Sequence, residues 1–396
     1  MRQMAYVGED GQIRVSDLDL SRETEISRHG MAEAGTDRHV LCNWPTWSPD
    51  GDRLAFFQYE LAGDDVRRTS VRLAPADGSS SSEVYGLPAG APIYVCWSPD
   101  GQRLAVLVQE SRELYLRVIE CQDGQKALTV AQGAPLYFVW HPDSRGLVVH
   151  TGGAGLAPPR ARVVWVRLEG GQATYASLTG EPATDFRAPA WSSRHGAATL
   201  AFAHDDGSEI VLQSEPDATR QTIASSGNGP VFIWSADGAR LAFASRSTEF
   251  GGAYGPISVY WAEDSSVEQV TEGPSLAFFW CPDSRRVLHT GGEMGGRMMN
   301  VQVVDVVGGE RTSLGWVRPS RDLMLLLGHF DQYSQSAHIF SPGGDEIVLA
   351  ASIAQEQENG AVPTVRQILV RSLAGDRVQE VAARGRLAFW RPDPPA

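Results

Sequence analysis

Three histidines lie in settings where imidazole could do chemistry. His150 and His289 each begin the tetrapeptide His-Thr-Gly-Gly, and His204 is followed directly by Asp205. Imidazoles close to carboxylates can bind a transition metal or transfer protons. His150, His204 and His289 are therefore the candidates for metal ligands in this chain.

The positions of these histidines argue against one shared metal site. Each ends the second strand of a different sequence repeat, and two of them lie three repeats apart. All ligands of one metal must lie about 2 Å from it. Similarity between repeats explains the duplicated tetrapeptide without any metal, so we expect no cofactor.

The motifs of common enzymes are missing from the sequence. It has no Gly-x-Ser-x-Gly nucleophile elbow, phosphate loop, His-Glu-x-x-His sequence or cysteine cluster of zinc-finger spacing. We therefore expect that the protein is not an enzyme.

A repeated pentapeptide, Trp-Ser-Pro-Asp-Gly, indicates the strands and turns on which these histidines lie. It stands at 47–51 and 97–101 and recurs in looser form at intervals of 43 to 51 residues, with one interval of 60. A period of this size with strand-turn-strand chemistry predicts a β-propeller. The repeat anchors are Trp47, Trp97, Trp140, Trp191, Trp234, Trp280, Phe340 and Trp390.

One repeat, residues 91–131, shows how a blade is built. An apolar and β-branched run ends at Trp97, and the turn Ser-Pro-Asp-Gly follows. Three further runs with strand character begin near residues 103, 113 and 126. The repeat therefore predicts four antiparallel strands, with the large anchor ring packed between neighbouring blades.

The two chain ends complement each other. Residues 1–30 contain strands two to four of a blade, and residues 385–396 contain a first strand. Their pairing would close the ring and remove exposed sheet edges. We predict an all-β fold, a single closed β-propeller domain over residues 1–396 with eight four-stranded blades. Seven blades is the alternative, if the region 280–340 is misread.

The long interval contains an insert at about 315–338. Its twenty or so extra residues fit an added strand or short helix over one face, and they include His329, Asp331 and Tyr333. Long inserts in compact domains are often functional. A structural insert that covers a joint between blades is equally open.

The loops between second and third strands are the predicted binding surface. Loops 58–69, 151–161, 245–256, 291–297 and 354–363 are long and chemically varied, and two of them, 58–69 and 245–256, mix aromatic with charged residues. Such surfaces suit a protein or peptide partner, although ordinary solvated loops would look similar. The candidate binding residues are Tyr59, Glu60, Arg246, Phe250, Tyr254 and Glu293, together with His329, Asp331 and Tyr333 of the insert.

These repeats resemble the TolB-type propeller repeat, in which Trp-Ser-Pro-Asp-Gly precedes a basic residue and an apolar strand. Residues 47–57, 97–107 and 234–243 match it closely, whereas the copies at 191 and 340 are degenerate. WD-repeat propellers are similar in architecture only. TolB has a further N-terminal domain and acts in the periplasm as a protein-interaction scaffold, so the resemblance implies a binding platform but not that location.

Charge and hydropathy limit the partners. The formal net charge of −14 disfavours nucleic acid. No stretch approaches the roughly 18 apolar residues of a membrane span, so we expect no direct membrane insertion. The N-terminus lacks a secretory signal and no Cys-x-x-Cys occurs. We expect a cytoplasmic protein.

Two functional hypotheses follow. The first is a non-catalytic scaffold that presents its long-loop face to a protein or peptide. The second is an enzyme, or a propeller that binds a small ligand or metal, using the axial funnel and the histidine-bearing face. The second predicts polar side chains that converge in one pocket, and the first predicts a broad mixed surface.

Overall fold

The structure is a computed structural model that forms two compact units. The first contains Met1–Thr129, Trp316–Leu326 and Ser336–Ala396, and the second contains Val130–Gly315 and Leu327–Gln335. The residues that the structure describes are 2–19, 21–27, 37–87, 90–122, 126–152, 162–178, 186–194, 197–204, 208–226, 228–292, 298–353, 367–375, 377–382 and 385–394.

Almost all regular structure is β. The first strands in chain order are β1 (Gln3–Gly8), β2 (Ile13–Asp17), β3 (Glu23–Glu25), β4 (Arg38–Trp47), β5 (Arg53–Ala62), β6 (Asp65–Pro75), β7 (Ser82–Leu87), β8 (Ala91–Trp97), β9 (Arg103–Glu110), β10 (Glu113–Glu120), β11 (Ala127–Gly133), β12 (Leu136–Trp140), β13 (Gly146–Thr151), β14 (Arg162–Glu169) and β15 (Gln172–Ser177). They are followed by β16 (Ala190–Arg194), β17 (Ala197–His204), β18 (Glu209–Gln213), β19 (Gln221–Ser225), β20 (Asn228–Trp234), β21 (Arg240–Arg246), β22 (Ser258–Trp261), β23 (Ser266–Gln269), β24 (Ala277–Trp280), β25 (Arg286–Gly292), β26 (Met299–Asp305), β27 (Arg311–Pro319), β28 (Glu346–Ile353), β29 (Gln367–Ser372), β30 (Val378–Ala382) and β31 (Gly385–Trp390).

Consecutive antiparallel strands form the sheets, as the blades of a β-propeller do. Six sheets have four strands each, in the orders β3-β2-β1-β31, β4-β5-β6-β7, β11-β10-β9-β8, β12-β13-β14-β15, β16-β17-β18-β19 and β20-β21-β22-β23. The seventh has seven strands in the order β24-β25-β26-β27-β28-β29-β30. The predicted all-β propeller fold is confirmed.

The described residues form seven sheets, the count that the sequence left as its alternative to eight. The seventh sheet contains strands of two repeats, because residues 317–319 of β27 pair with residues 351–353 of β28. The anchor Phe340 makes only an isolated bridge with Ile347. The insert that precedes Phe340 thus replaces an ordinary first strand, which is why the repeats outnumber the sheets.

The predicted pairing of the chain ends is present within the first unit. β1 is antiparallel to β31, with Met4 opposite Trp390 and Val7 opposite Leu387. Met4 and Trp390 are both fully buried, in a cluster that also contains residues of β28 and β29. The last strand of the chain therefore supplies the first strand of the sheet that begins at the N-terminus.

The pentapeptide makes the same turn wherever it is intact. In the copy at Ser98, the hydroxyl donates to Asp100 at 2.6 Å and accepts the backbone N–H of Arg103 at 2.9 Å. Gly101 has φ of +67°, a region in which a side chain would be strained. The turn satisfies its own polar groups, so it forms wherever these residue types recur.

The anchor tryptophans Trp47 and Trp97 each link one sheet of the first unit to the next. The indole N–H of Trp97 donates to the Thr46 carbonyl at 3.0 Å, and that of Trp47 donates to the Phe389 carbonyl at 3.3 Å. Each acceptor is the residue directly before the anchor of the neighbouring repeat. The predicted role of the anchor rings thus includes a hydrogen bond in addition to packing.

The insert forms two short helices, α1 (Arg321–Gly328) and α2 (Phe330–Tyr333). In the second unit, α2 packs against β12, β20 and β24, which are the first strands of three sheets. All four of its residues are buried. α2 is therefore an interior element of this unit and not a surface decoration.

We expect Trp97→Phe to destabilise the protein more than Trp316→Phe. The first change leaves the buried Thr46 carbonyl without its donor, which costs about 1–3 kcal/mol, whereas Trp316 is 43% exposed. Urea unfolding of the two variants gives the comparison. Equal losses of unfolding free energy would contradict a structural role for the indole N–H.

Candidate functional site

Five titratable side chains converge in the second unit. They are Tyr137 of β12, Arg187, Arg246 at the end of β21, Tyr254, and Asp331 of α2. Arg187 and Arg246 lie over the same ring, with guanidinium carbons 5.6 and 5.7 Å from the Tyr254 ring centre. We call these five residues the Arg187 cluster.

Backbone bridges place Tyr254 in the cluster. β21 ends at Arg246, and the chain turns back so that Ser247 N–H donates to the Ala253 carbonyl at 2.9 Å. Tyr254 then forms isolated bridges with Arg246 on one side and Ser275 on the other. Its side chain is held between these two segments, where it is buried.

His150 and Phe186 fix the segment that carries Arg187. The His150 and Phe186 rings are stacked, with centres 3.9 Å apart and planes at 6°. His150 Nδ1 donates to the Arg187 carbonyl at 3.0 Å. A histidine first considered as a metal ligand thus holds the backbone of Arg187 in place.

α2 contributes the carboxylate and ties the cluster to the sheets. Asp331 Oδ2 accepts the Ala188 N–H at 3.0 Å, and Oδ1 lies 3.8 Å from the guanidinium of Arg187. The side-chain amide of Gln332 accepts the Phe138 N–H at 2.9 Å and donates to the Phe138 carbonyl at 2.8 Å. Gln332 therefore bonds β12 as a neighbouring strand would.

Burial perturbs the ionisation of the cluster. It raises the pKa of Asp331, although Arg187 opposes the shift. It also raises the pKa of Tyr254 to about 12 and that of Tyr137 above its ordinary value. Burial alone would lower the pKa of Arg187, but Asp331 and the two phenols outweigh this effect, so the pKa of Arg187 is raised. Several perturbed groups in one place mark a candidate functional site.

Two buried polar atoms of the cluster lack hydrogen bonds. Within the described part of the chain, neither Asp331 Oδ1 nor the Tyr254 hydroxyl has a hydrogen-bond partner. Such atoms cost free energy and are few in native proteins, so each calls for an explanation. Arg246, in contrast, is exposed, and the described residues offer its guanidinium no ion pair.

The other histidines do not gather into a metal site. His289 Nε2 hydrogen-bonds Ser275 Oγ at 3.2 Å, and burial lowers the pKa of His289 to about 4. His204 Nε2 accepts from Arg220 at 2.7 Å. Across the described stretches, no group of three His, Cys, Asp or Glu residues is placed to hold a metal ion.

The remaining candidates from the sequence lie in several places. His329 precedes α2 and is half-buried, with its ring 6.3 Å from that of the buried Tyr333. Phe250 is half-buried in the turn after β21. Glu293 and most of loops 151–161, 291–297 and 354–363 fall outside the described residues.

The predicted loop 58–69 is instead a β-hairpin, which corrects that part of the sequence reading. β5 and β6 continue through it and turn at Gly63 and Asp64. Tyr59 is half-buried in β5, where burial raises its pKa to about 12. Glu60 lies 3.6 Å from Arg68 across the hairpin. Neither belongs to the Arg187 cluster.

Sequence reasoning found three members of the cluster and missed two. Arg246, Tyr254 and Asp331 were candidates, whereas Arg187 and Tyr137 were not. Arg187 stands within Phe-Arg-Ala-Pro-Ala just before the anchor Trp191. A lone charge in an apolar run that leads into a first strand is the signal that could have revealed it.

Known proteins resemble this chain in fold. No family model and no curated protein matches it. Dihydro-heme d1 dehydrogenase NirN in complex with DHE is similar at a TM-score of 0.57 and 14% identity, over 98% of this chain and 74% of that one. Oligogalacturonate lyase in complex with manganese is similar at a TM-score of 0.51 and 14% identity, over 89% of this chain and 96% of that one. TolB from Acinetobacter baumannii has a TM-score of 0.42 and 18% identity, over 91% of this chain and 84% of that one.

These likenesses show a shared propeller fold, and TolB is among the similar structures, as the repeats predicted. They also correct one expectation. The prediction that this chain is not an enzyme is wrong as an inference from missing motifs, because one similar structure is a dehydrogenase and another a lyase. A propeller of this kind is compatible with catalysis.

Asp331→Asn tests the ionisation of the cluster. The folded state raises the pKa of Asp331, so a proton on this carboxyl stabilises the fold. This contribution to the unfolding free energy is at its full value below the unfolded pKa of about 3.9, and it is lost as the pH rises through the folded pKa. Asparagine cannot lose a proton. We expect the unfolding free energy of the variant to increase relative to wild type as the pH is raised from about 4 to about 8.

Asp264→Asn is the control of opposite sign. Ser266 lowers the pKa of the exposed Asp264, so wild type should gain stability relative to this variant as the pH rises. Urea unfolding across the pH series measures both. Parallel curves for wild type and Asp331→Asn would contradict the raised pKa.

Proposed function

We propose that this propeller is a binding protein whose second unit takes a small ligand with an anionic group at the Arg187 cluster. The observation that carries the proposal is the pair of guanidinium groups over one tyrosine ring. Among the described residues, Asp331 is the one carboxylate that forms an ion pair with either guanidinium, and its partner is Arg187. The excess positive charge lies in a chain of net charge −14.

The two arginines have different parts in this proposal. Arg187 is anchored by Asp331 and by its hydrogen bond to the Gly328 carbonyl, so it contributes fixed charge. Arg246 is exposed and can reach a ligand. Guanidinium groups bind carboxylate and phosphate through paired N–H donors, which favours an anion of this kind.

The burial of Asp331 strengthens the preference for anions. Burial raises the pKa of Asp331 and so disfavours the negative charge that lies beside Arg187. Interactions between charges are also stronger in a partly desolvated site than in water. The convergence of polar groups is what the small-ligand hypothesis requires. Chemical conversion of the bound ligand is compatible with it.

A protein or peptide partner is the second candidate, and the β5–β6 hairpin favours it. Its strands have ten and eleven residues: β6 is the longest of the described strands, and β5 is equalled only by β4. Val66, near the turn, is 55% exposed beside Arg67 and Arg68. An exposed apolar residue among charged ones suits a transient protein contact.

We also propose a cytoplasmic location. None of Cys42, Cys96, Cys121 and Cys281 forms a disulfide in the described structure, and three of them are buried. Buried cysteines that form no disulfide suit a reducing compartment. No described helix is long and apolar enough to cross a membrane.

Titration calorimetry with phosphate and gluconate, and with glucose as the neutral counterpart, tests the proposed site. We expect the anions to bind and glucose to fail. Arg246→Gln should lower the affinity roughly ten- to a hundredfold, since a hydrogen bond to a charged group contributes about 1.5–3 kcal/mol.

Arg285→Gln is the matched control. Arg285 is an exposed arginine of the same unit that pairs with Asp305, and its loss should leave anion binding unchanged. Failure of both anions to bind, or equal binding by wild type and Arg246→Gln, would contradict the proposal. Capture of a protein partner that is lost in Val66→Glu but kept in Arg246→Gln would support the hairpin instead.

A further inference from the structure

The geometry points to a second binding site in the second unit, one that takes an aliphatic carboxylic acid. The site is a groove beside β13 and β14 with a volume of about 310 Å³. It is separate from the Arg187 cluster and does not depend on the function proposed there. Its lining residues are Val130, Ala131, Gln132, Val149, Thr151, Arg162, Val164, Val166 and Tyr175.

Strand register brings the lining side chains together. Arg162, Val164 and Val166 alternate along β14 and so lie on one face of the sheet. Thr151 lies opposite Arg162, and Val149 lies opposite Val164. Tyr175 of β15 is opposite Val166. The groove therefore follows the strands, with a charged end at Arg162 and an aromatic end at Tyr175.

The floor of the groove is aliphatic. Val149 and Val166 are each 1% exposed, and Val130 is 3% exposed. Branched aliphatic side chains offer apolar area without hydrogen-bonding groups, so the body of the ligand should be hydrocarbon. A volume of 310 Å³ is at the small end of ligand pockets. A short-chain or medium-chain acid is the matching size.

Arg162 supplies the polar end. It is exposed, and the described residues give its side chain no ion pair or hydrogen bond. The neighbouring Thr151 hydroxyl donates to the Gln132 carbonyl at 3.1 Å, so its hydrogen is already engaged. The cation at this end is thus available to a carboxylate, with which a guanidinium can form two parallel hydrogen bonds.

The exposed Tyr175 completes the match to an amphiphile. Its side chain is 59% exposed although it is a large ring at the wall of an apolar groove. A hydrocarbon chain along the valines would cover part of that ring. A ligand without a charge would gain the apolar contacts but leave Arg162 unused, so an acid fits better than a neutral hydrocarbon or alcohol.

Titration calorimetry of the full chain with octanoate, and with octanol as the neutral counterpart, tests this site. We expect octanoate to bind with about one molecule per chain and octanol to bind more weakly. Arg162→Gln should lower the octanoate affinity by about tenfold or more. Val164→Trp, which fills the groove, should abolish binding.

Arg167→Gln is the matched control, because Arg167 is an exposed arginine of the same strand that lies on its opposite face. It should leave octanoate binding unchanged, and so should Arg246→Gln, which separates this site from the Arg187 cluster. Absence of octanoate binding would overturn the proposal. So would equal binding by wild type and Arg162→Gln, even if Val164→Trp does not fold.

Discussion

The hydrogen bond from an anchor indole to the neighbouring repeat is the interaction on which the rest of this structure depends. Among the described residues, two such bonds lie within each unit, and in these four the acceptor is the carbonyl directly before another anchor, whereas the indole nitrogens of Trp191 and Trp390 are buried without a hydrogen-bond partner. The pairs are Trp47 with Phe389 and Trp97 with Thr46 in the first unit, and Trp234 with Ala190 and Trp280 with Ile233 in the second. Because donor and acceptor both belong to the repeat, one local rule aligns neighbouring sheets.

The Arg187 cluster uses sheets held in this way. Its members come from the first strand β12, from the end of the second strand β21, from the connecting segments that carry Arg187 and Tyr254, and from α2, which is far away in sequence. Gln332 reaches Phe138 across 194 residues, and Asp331 reaches Ala188 across 143. A binding group is positioned well only when its supporting elements are rigid. The buried α2, bonded to the backbone of β12, supplies that rigidity to Asp331.

The propeller fold could be predicted because its determinants are local. The turn after Trp97 follows from residue types within a few positions of each other, and the pairing of the chain ends follows from the division of one repeat's strands between the two ends. The number of sheets could not be predicted, since it depends on which strand pairs with β27 after the insert. The cluster was only partly predictable for a similar reason. Arg187 is placed beside Tyr254 by hydrogen bonds that His150 and Asp331 form with the backbone of residues 187 and 188. These contacts join positions far apart in the chain, so the repeat pattern of the sequence does not predict them.

Anomalous diffraction from crystals soaked in selenate shows whether an oxyanion binds at Arg246, because the anomalous signal of selenium locates the anion. We expect a selenium peak within hydrogen-bonding distance of the Arg246 guanidinium, beside the Tyr254 ring, and loss of that peak in Arg246→Gln. Selenate bound at other arginines with none at Arg246 would contradict the proposed site.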